Sequence, residues 1–396
     1  MDLDFELRPD QGLPQSAFDR LSEAGPVVWS EPLAGWMVSS YQAVRTVLGD
    51  VKRFTMAGTP VAETLGKEGM LVDDTPFHNI VRAVWAPHVS REALMARSGE
   101  LQGFAAQVLE EVRLPLEAGE AVNLIPVFRN FVMQFIASSF DVPRDKLRVF
   151  EVWSELSADT PALALEEGSD AQQSHQAAQK AVVELVQAQI EDRKQRFARG
   201  ENPQDLISLM VAAEGRDGFT RSVVADNLFN FILGAMDTTE KWLGNIVVKL
   251  CESPRLADEL RADRSLIEAF NEEVMRVYSV AQAVQRRVRE GGAELAGQNM
   301  AGGDPVFLLL GAANRDAAEF EDPDSFDMHR TNKAHLGFGF GFHHCLGVNI
   351  ARQEARAFVS VLLDTFPQLR VAEIDYGQSW ALWGPRALHV ALPDRD

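Results

Sequence analysis

The sequence contains few cysteines, and it lacks the features of disulfide-rich, membrane-spanning and secreted proteins. The 396 residues include two cysteines, Cys251 and Cys345, which excludes a scaffold stabilised by disulfides. No run of about 18 apolar residues occurs, so we predict no membrane-spanning segment. The first six residues lack the basic region and apolar core of a signal peptide. We therefore expect a cytoplasmic protein that does not bind membranes.

Basic residues are outnumbered by acidic ones. The chain has 38 lysines and arginines against 58 aspartates and glutamates, a net charge of −20. A protein of this charge is repelled by the phosphate backbone, which argues against nucleic acid as a partner. No linker rich in proline, serine or glycine and no internal repeat interrupts the chain. These absences predict a single domain over residues 1–396.

Helical periodicity dominates the chain after Tyr41. Two short β-rich segments, residues 27–30 and 36–40, precede it, and short β segments return in the C-terminal third. Long helices are predicted over residues 91–112, 173–197, 222–251 and 348–366. A chain that is mostly helical with small sheets lacks the regular alternation of strands and helices that a doubly wound fold has. We therefore predict a mainly α fold with small β-sheets.

Cys345 lies in a segment of unusual composition. Residues 338–347 have the sequence FGFGFHHCLG and lead into the predicted helix at 348–366. Amide groups at the start of a helix stabilise a thiolate, glycines let the backbone approach a flat group, and aromatics exclude water. Ligation of haem iron by the Cys345 thiolate fits these features, and the alternative is a structural cysteine in a buried turn. Cys251 follows an apolar helical run and is interpreted as a packing residue.

The same segment resembles the haem-binding loop of the cytochromes P450, whose pattern is Phe-Gly-x-Gly-x-His-x-Cys-x-Gly. The resemblance implies the cytochrome P450 fold and haem b as the cofactor. It also implies that Cys345 is the only protein ligand of the iron and that Phe338 contacts the haem.

The resemblance further implies residues that bind the two haem propionates. The segment DTPFHNIVR matches a family pattern whose histidine and arginine reach one propionate, and here these are His78 and Arg82. Spaced i, i+4, they would share a helical face. For the other propionate the resemblance implies Arg287, with Arg286 as a competing alternative. His343 is a further candidate contact to the cofactor.

A second motif implies a structural ion-pair network. Glu273 and Arg276 match the Glu-x-x-Arg of the family and, at i, i+3 on a helix, are spaced to pair. The third partner in the family is an arginine before the haem loop, and Arg330 fits that place. If these charges are buried, each requires further hydrogen bonds.

Oxygen chemistry is assigned to the helix predicted at 222–251. Its segment LGAMDTT resembles the Ala-Gly-x-Asp/Glu-Thr-Thr of the family. The resemblance implies that Asp237 relays protons from solvent, that Thr238 hydrogen-bonds at the oxygen-binding position and that Ala235 contacts the haem. A threonine hydroxyl that bonds back to a carbonyl opens a helix locally, so we expect an opening here. The alternative is a solvated Asp-Thr-Thr on an ordinary helix.

Apolar side chains fill the positions that line the substrate pocket in the family. They are Phe229, Ile232, Val280, Val284, Trp380 and Leu382. Such a lining would leave a carboxylate or a sugar poorly solvated. The loop over residues 58–71 is short, which argues against a macrolide or a steroid. We predict a small, neutral, hydrophobic, aromatic substrate that is hydroxylated or O-demethylated, as by the P450s that demethylate guaiacol-type aromatics.

The resemblance as a whole implies a haem-thiolate monooxygenase that uses O2. Electrons from NAD(P)H are expected to arrive through a ferredoxin and a ferredoxin reductase, or an equivalent reductase. Arg352 and Arg356 are candidate docking residues for this acidic partner. We expect a monomer. The alternatives are a peroxide-driven relative, a tailoring enzyme of a natural-product pathway and a non-catalytic haem sensor.

Overall fold

The structure is a computed structural model that describes residues 15–65, 68–72, 74–157, 168–377 and 381–393. The described chain forms two compact units. The larger unit takes in the described parts of residues 1–55, 95–131 and 238–396, and the smaller unit those of 56–94 and 132–237. Compact units are not by themselves independent folding domains, so the single domain over residues 1–396 stays a prediction.

Helices make up most of the described chain, as the periodicity predicts. In chain order they are α1 (Gln15–Ala24), α2 (Tyr41–Gly49), α3 (Pro60–Leu65), α4 (Pro76–Trp85), α5 (Arg91–Ala96), α6 (Ser98–Glu111), α7 (Arg113–Glu117), α8 (Ile125–Phe140), α9 (Arg148–Ser157), α10 (Asp170–Ala198), α11 (Leu206–Ala213), α12 (Arg221–Glu252), α13 (Pro254–Ala262), α14 (Ile267–Val277), α15 (Leu310–Ala313) and α16 (Val348–Thr365). Within the described ranges, no helix is both long enough and apolar enough to cross a bilayer.

The strands all lie in the larger unit. They are β1 (Val27–Ser30), β2 (Gly35–Val38), β3 (Phe54–Thr55), β4 (Val122–Asn123), β5 (Ala283–Val288), β6 (Ala293–Leu295), β7 (Gln298–Met300), β8 (Pro305–Leu309), β9 (Arg370–Asp375) and β10 (Ala387–Ala391). Three small sheets result, with strand orders β1-β2-β8-β5-β3, β4-β10-β9 and β6-β7. The mainly α fold with small sheets is therefore confirmed.

The five-stranded sheet supports the segment that contains Cys345. Strands β2 and β8 run parallel, with Trp36 opposite Val306, and the other neighbours are antiparallel. The buried cluster on this sheet includes Val306 and Leu308, and the partly buried Phe340 packs against it. Burial of this apolar area holds one side of the Cys345 segment against this cluster, which includes residues of α2.

Aromatic packing holds α16, the helix that follows Cys345. The Phe358 ring lies 5.3 Å from the rings of both Phe128 and Phe131 on α8. Arg129, on the same stretch of α8, binds the buried Glu240 of α12 through Nε at 2.8 Å. These contacts, all inside the larger unit, set the position of α16 relative to α12.

The smaller unit is helical and is tied together by buried polar groups. Trp85 is fully buried, and its Nε1 donates to the Leu206 carbonyl at 2.8 Å. The Asp205 carboxylate accepts from two amides at the start of α11 and from the buried Arg193 of α10. Arg193 also donates to the Phe140 carbonyl at 2.7 Å, so that this cation has several partners inside the unit.

Candidate active site

The cysteine loop, residues 338–347, is closed by a backbone hydrogen bond. The Cys345 N–H donates to the Phe338 carbonyl at 2.9 Å. Gly341 has φ = 71°, and a Cβ there would lie 2.9 Å from the Leu48 carbonyl oxygen. Because this backbone oxygen cannot move aside, glycine is required. The loop places Cys345 three residues before the first residue of α16.

The apolar side chains around Cys345 are only partly buried. Within this fully described loop, Phe338, Phe340, Phe342 and Leu346 are half-exposed, and so is the cysteine. Apolar surface in contact with water costs about 25 cal/mol per Å², so side chains of this size usually pack completely. A half-exposed set of apolar side chains around a thiol fits a large, flat, apolar ligand such as haem.

Arg352 links the cysteine loop to α14. Its guanidinium binds the Glu272 carboxylate through Nε at 3.0 Å and Nη2 at 2.6 Å, and it lies over the Phe338 ring, 5.2 Å from the centroid. His335 makes a second contact to Glu272, 3.3 Å from Nε2 to Oε2. The His335 Nδ1 accepts from the Gly337 N–H at 3.2 Å. This network holds the Phe338 end of the loop.

Charge in this network shifts the pKa of both ion-pair partners. Burial raises the pKa of Glu272, but His335 and Arg352 outweigh it, and the pKa falls to about 2. Burial opposes the charge of Arg352, yet Glu272, and after it Glu268 and Cys345, raise the pKa of the guanidinium. Arg352 therefore takes part in an internal ion pair, and its role as a docking residue for a redox partner stays a prediction.

Glu273 and Arg276 pair on α14, as their spacing predicts. Arg276 Nε and Nη2 lie 2.9 and 2.7 Å from the two Glu273 carboxylate oxygens. Arg276 is fully buried. Its remaining N–H groups donate to the carbonyl oxygens of Asn314, Pro323 and Ser325. All five donors of this buried guanidinium are thus satisfied.

Arg330 joins this pair from the segment before the cysteine loop. Its Nε lies 3.4 Å from Glu273 Oε1, which also accepts from the Asp327 N–H at 2.9 Å. Its Nη2 donates to the Asp322 and Ser325 carbonyls at 3.0 and 3.2 Å. The three predicted residues are therefore in contact, and they hold the segment before Cys345 against α14.

The first candidate pair for a propionate lies on α4 of the smaller unit. Thr75 and Pro76 start this helix, with the Thr75 hydroxyl accepting from the Phe77 N–H at 3.2 Å. His78 is buried, with Nδ1 2.8 Å from the Met70 carbonyl, so Nδ1 is the protonated nitrogen. Arg82, one turn further on, is half-exposed.

The competing arginines for the second propionate, Arg286 and Arg287, are neighbours on β5 and lie on opposite faces of the strand. Arg286 is 7% exposed, whereas Arg287 is half-exposed and donates to the Gly303 carbonyl at 3.0 Å. An external carboxylate requires an accessible guanidinium, which favours Arg287. His343 lies in the 3₁₀ turn of the cysteine loop, with its ring 5.2 Å from that of Phe342.

The segment assigned to oxygen chemistry lies in α12, which is continuous over Arg221–Glu252. The local opening expected near Thr238 stays a prediction, because an unbroken helix does not exclude a wider turn at one position. A threonine hydroxyl is able to share a carbonyl with the N–H donor of the helix itself, so such a bond does not require the helix to open. The division between the two units falls after Asp237, which places Asp237 and Ala235 in the smaller unit and Thr238 in the larger one.

One face of α12 leaves space beside the helix. Gly234 is exposed, and a Cβ there would meet nothing within 4 Å. Ala235, Asp237 and Thr238 are half-exposed, whereas the neighbouring Met236 is fully buried. Open space beside a mid-helix glycine fits the approach of a cofactor or a small ligand.

Glu354, on α16, is a buried acid that the sequence analysis did not find. It is 1% exposed, and neither carboxyl oxygen has a hydrogen bond of normal geometry within the described residues. Burial raises its pKa to about 8, against the lowering influences of Thr239 and Arg97. A carboxyl on the otherwise apolar inner face of a helix is the signal that could have revealed it.

Replacing Glu354 by glutamine is expected to remove a pH dependence of stability. Between about pH 4.5 and 8 the unfolded carboxyl is ionised while the folded one keeps its proton, so stability falls as pH rises through this window. From pH 6 to 9 the wild type should lose about 2–3 kcal/mol more than Glu354→Gln, measured by urea unfolding. The exposed Glu110→Gln is the control, and equal pH dependence of Glu354→Gln and wild type would contradict the prediction.

Two of the predicted substrate-lining segments are in contact within the larger unit. Ala281 and Leu382 form an antiparallel bridge, and the Trp383 N–H donates to the Val280 carbonyl at 2.7 Å. Val280 is buried, and Leu382 and Val284 are half-exposed. The segments that contain Val280 and Leu382 are thus neighbours, and Val284 follows four residues after Val280.

Two of the other three predicted lining residues are not part of this contact. Phe229 and Ile232 are buried on α12 in the smaller unit. The Phe229 ring packs edge to face on Trp153, with 5.6 Å between centroids. Trp380 lies outside the described residues.

Comparisons with known proteins agree with this geometry. The sequence profile described as Cytochrome P450 matches residues 7–370. The biotin biosynthesis cytochrome P450 of Bacillus subtilis (strain 168) is 28% identical over 391 residues, covering 95% of this chain and 94% of that protein. The mycinamicin IV hydroxylase/epoxidase of Micromonospora griseorubida is 29% identical over 391 residues, covering 94% of each chain.

A solved structure shows the same fold. CYP109E1 from Bacillus megaterium, in complex with testosterone, superposes with a TM-score of 0.84 at 26% identity, covering 96% of this chain and 98% of that chain. The similarity extends through nearly the whole chain and is not confined to the motifs.

Proposed function

This chain belongs to the cytochrome P450 family and is a P450 monooxygenase, and we propose that its substrate is a small, neutral, aromatic molecule that it hydroxylates or O-demethylates. The family uses haem, O2 and electrons from a reductant. When bound, the haem supplies the iron at which O2 is activated. The half-exposed apolar loop around Cys345 and the open face of α12 fit this group.

We assign the haem contacts to residues of the cysteine loop, α4, β5 and α12. Cys345 Sγ would ligate the iron of a haem b, and Phe338 and Ala235 would contact its ring. His78, Arg82, Arg287 and His343 would bind its propionates. The accessible guanidinium of Arg287 and the buried state of Arg286 support this choice between the two neighbours.

Proton supply is assigned to Asp237 and Thr238. The Asp237 carboxylate, half-exposed on α12, would take protons from solvent and pass them inward. The Thr238 hydroxyl, one residue on, would hold the proton donor in place at the oxygen-binding position. A peroxide-driven relative would not require such a pair, which is why we favour the O2-dependent reaction.

Thr238→Ala is expected to uncouple electron consumption from product formation. Without the hydroxyl, protons arrive unpositioned, and hydrogen peroxide is released in place of oxygenated product. Positioned proton transfer typically contributes about 10²–10⁴-fold, so product per NAD(P)H should fall steeply. Product and hydrogen peroxide are measured per NAD(P)H consumed, with Thr238→Ser as the matched control that keeps a hydroxyl. Unchanged coupling in Thr238→Ala would contradict the assignment.

The observation that carries the substrate proposal is the contact between the Val280–Val284 stretch and Leu382. The predicted lining residues on these two segments, Val280, Val284 and Leu382, are apolar and carry no charge to bind a carboxylate. A well-buried aromatic ring gains roughly 1.5–3 kcal/mol from such surroundings, whereas a carboxylate would be poorly solvated.

A spectral screen tests the substrate class. Methoxybenzenes, alkylphenols, terpenes, fatty acids and testosterone are titrated into the holoenzyme while the low- to high-spin shift of the Soret band is recorded. We expect the largest shifts with methoxybenzenes and alkylphenols. Testosterone is included because the solved structure of CYP109E1 contains it, and fatty acids represent longer apolar ligands that carry a carboxylate. Shifts only with these larger ligands would overturn the proposal and favour a natural-product tailoring enzyme.

Electron supply by a separate ferredoxin and ferredoxin reductase is part of the proposal. Turnover with such a pair, compared with turnover on hydrogen peroxide alone, separates the monooxygenase from a peroxide-driven enzyme. A non-catalytic haem sensor would turn over with neither. The cytoplasmic location and the monomeric state stay predictions.

A further inference from the structure

A surface cavity of about 320 Å³ lies beside α16 in the larger unit, and no residue of the cysteine loop lines it. Ile267, Gln353 and Ala357 form its buried floor. The rim includes Ser98, Gln102 and Arg356, and no carboxylate is among the lining residues. In a protein with a net charge of −20, a cavity without acidic lining suits an anionic ligand.

The side-chain amide of Gln353, on the floor of the cavity, has no hydrogen-bond partner in the described part of the chain. Gln353 is only 7% exposed. Its amide oxygen and nitrogen are not among the fully buried polar atoms without a partner, so they are accessible from the cavity. Its amide lines the cavity, so a ligand bound there is able to satisfy it.

Arg356 on the rim is a cation with unused donors. Its nearest carboxylate, that of Glu268, lies 4.0 Å away, beyond hydrogen-bond distance, and the arginine side chain is 45% exposed. The other cation in the lining, Arg264, is engaged by Asp364 and by the Ser360 carbonyl. Arg356 therefore presents its guanidinium fork to an incoming group, and a carboxylate is the group that matches this fork.

We propose that this cavity binds a small organic carboxylate. Arg356 would bind the carboxylate, and the Gln353 amide N–H would donate to one of the carboxylate oxygens. The apolar part of the ligand would lie on Ile267 and Ala357. The cavity is at the lower end of the size range of small-molecule sites, so a short-chain acid fits better than a large one. The lining includes none of the residues proposed to bind haem or substrate, although Arg356 is also a candidate docking residue for the redox partner.

Calorimetric titration of the holoenzyme tests the proposal. Isovalerate is the probe, and isovaleramide is its uncharged match. We expect isovalerate to bind about tenfold or more tightly than the amide, and Arg356→Gln to weaken its binding by a similar factor. Gln353→Leu should also weaken it. Arg199→Gln, which removes an exposed arginine paired with Glu201 outside the cavity, should leave affinity unchanged.

The Soret band recorded in the same titrations separates this site from the haem site. A carboxylate that entered the haem site would move the band, whereas binding in the cavity leaves it in place. Equal binding of acid and amide, unchanged affinity in Arg356→Gln, or a Soret shift that follows the heat of binding would each overturn the proposal. Failure here would leave the oxygenation proposal standing, since the two have different readouts.

Discussion

Replacing Cys345 by alanine is expected to abolish both the thiolate-type spectrum of the ferrous–carbon monoxide complex and all oxygenation. A thiolate ligand pushes electron density to haem iron and favours O–O cleavage, and nothing else in the loop supplies it. Cys251 is not a substitute, because burial, with the charge of Glu252, raises the pKa of its thiol to about 12. The measurement is the carbon monoxide difference spectrum, with haem content determined on the same sample.

Cys251→Ala is the matched control for this experiment. It removes the other cysteine of the chain and should keep the thiolate-type spectrum and activity, since a protonated thiol is a packing group. A thiolate-type spectrum retained in Cys345→Ala would mean that the ligand had been assigned to the wrong residue.

Arg276→Met is expected to lower the free energy of unfolding by about 3–5 kcal/mol. The change removes five hydrogen bonds of a fully buried guanidinium and leaves the Glu273 carboxylate in the interior with fewer partners. Burying a charge without its partner is among the costliest single changes in a protein. Urea unfolding followed by circular dichroism gives the free energy, and haem loss is followed in the same titration.

Arg113→Met serves as the control, because it also replaces an arginine that pairs with a glutamate at i, i+3. That pair is exposed, with side-chain exposures of 36% and 63%, so the change should cost about 0–1 kcal/mol. The double variant Arg276→Met with Glu273→Gln should cost less than the sum of its parts, because the residues interact directly. Equal effects of Arg276→Met and Arg113→Met would contradict a structural role for the buried pair.

Features that depend on neighbouring residues were predictable from the sequence. The helix predicted over residues 222–251 is α12, Arg221–Glu252, and the one over 348–366 is α16, Val348–Thr365. The spacing of Glu273 and Arg276 sufficed to predict their pairing, since i, i+3 residues meet on any helix. The glycine at position 341 marks a turn whose φ is positive in the structure.

The backbone around Thr238 depends on more than the local motif. A motif specifies which residues are present, but the conformation of α12 depends on packing along all 32 of its residues. Helix stability in proteins comes mainly from tertiary contacts, so the backbone there remains helical despite the threonines.

The sequence by itself indicated the family and the fold class and supplied the prediction that Cys345 is the haem ligand, because composition and spacing within ten residues carry that information. Only the tertiary structure decided which charged side chains are paired or buried and which stay accessible. Arg352 meets Glu272 from a position 80 residues away, and Glu354 is buried without regular hydrogen bonds. Arg356, on the same helix as Arg352 and Glu354, is left accessible. Burial and long-range pairing arise from how helices pack against one another, and periodicity along a single helix does not encode them.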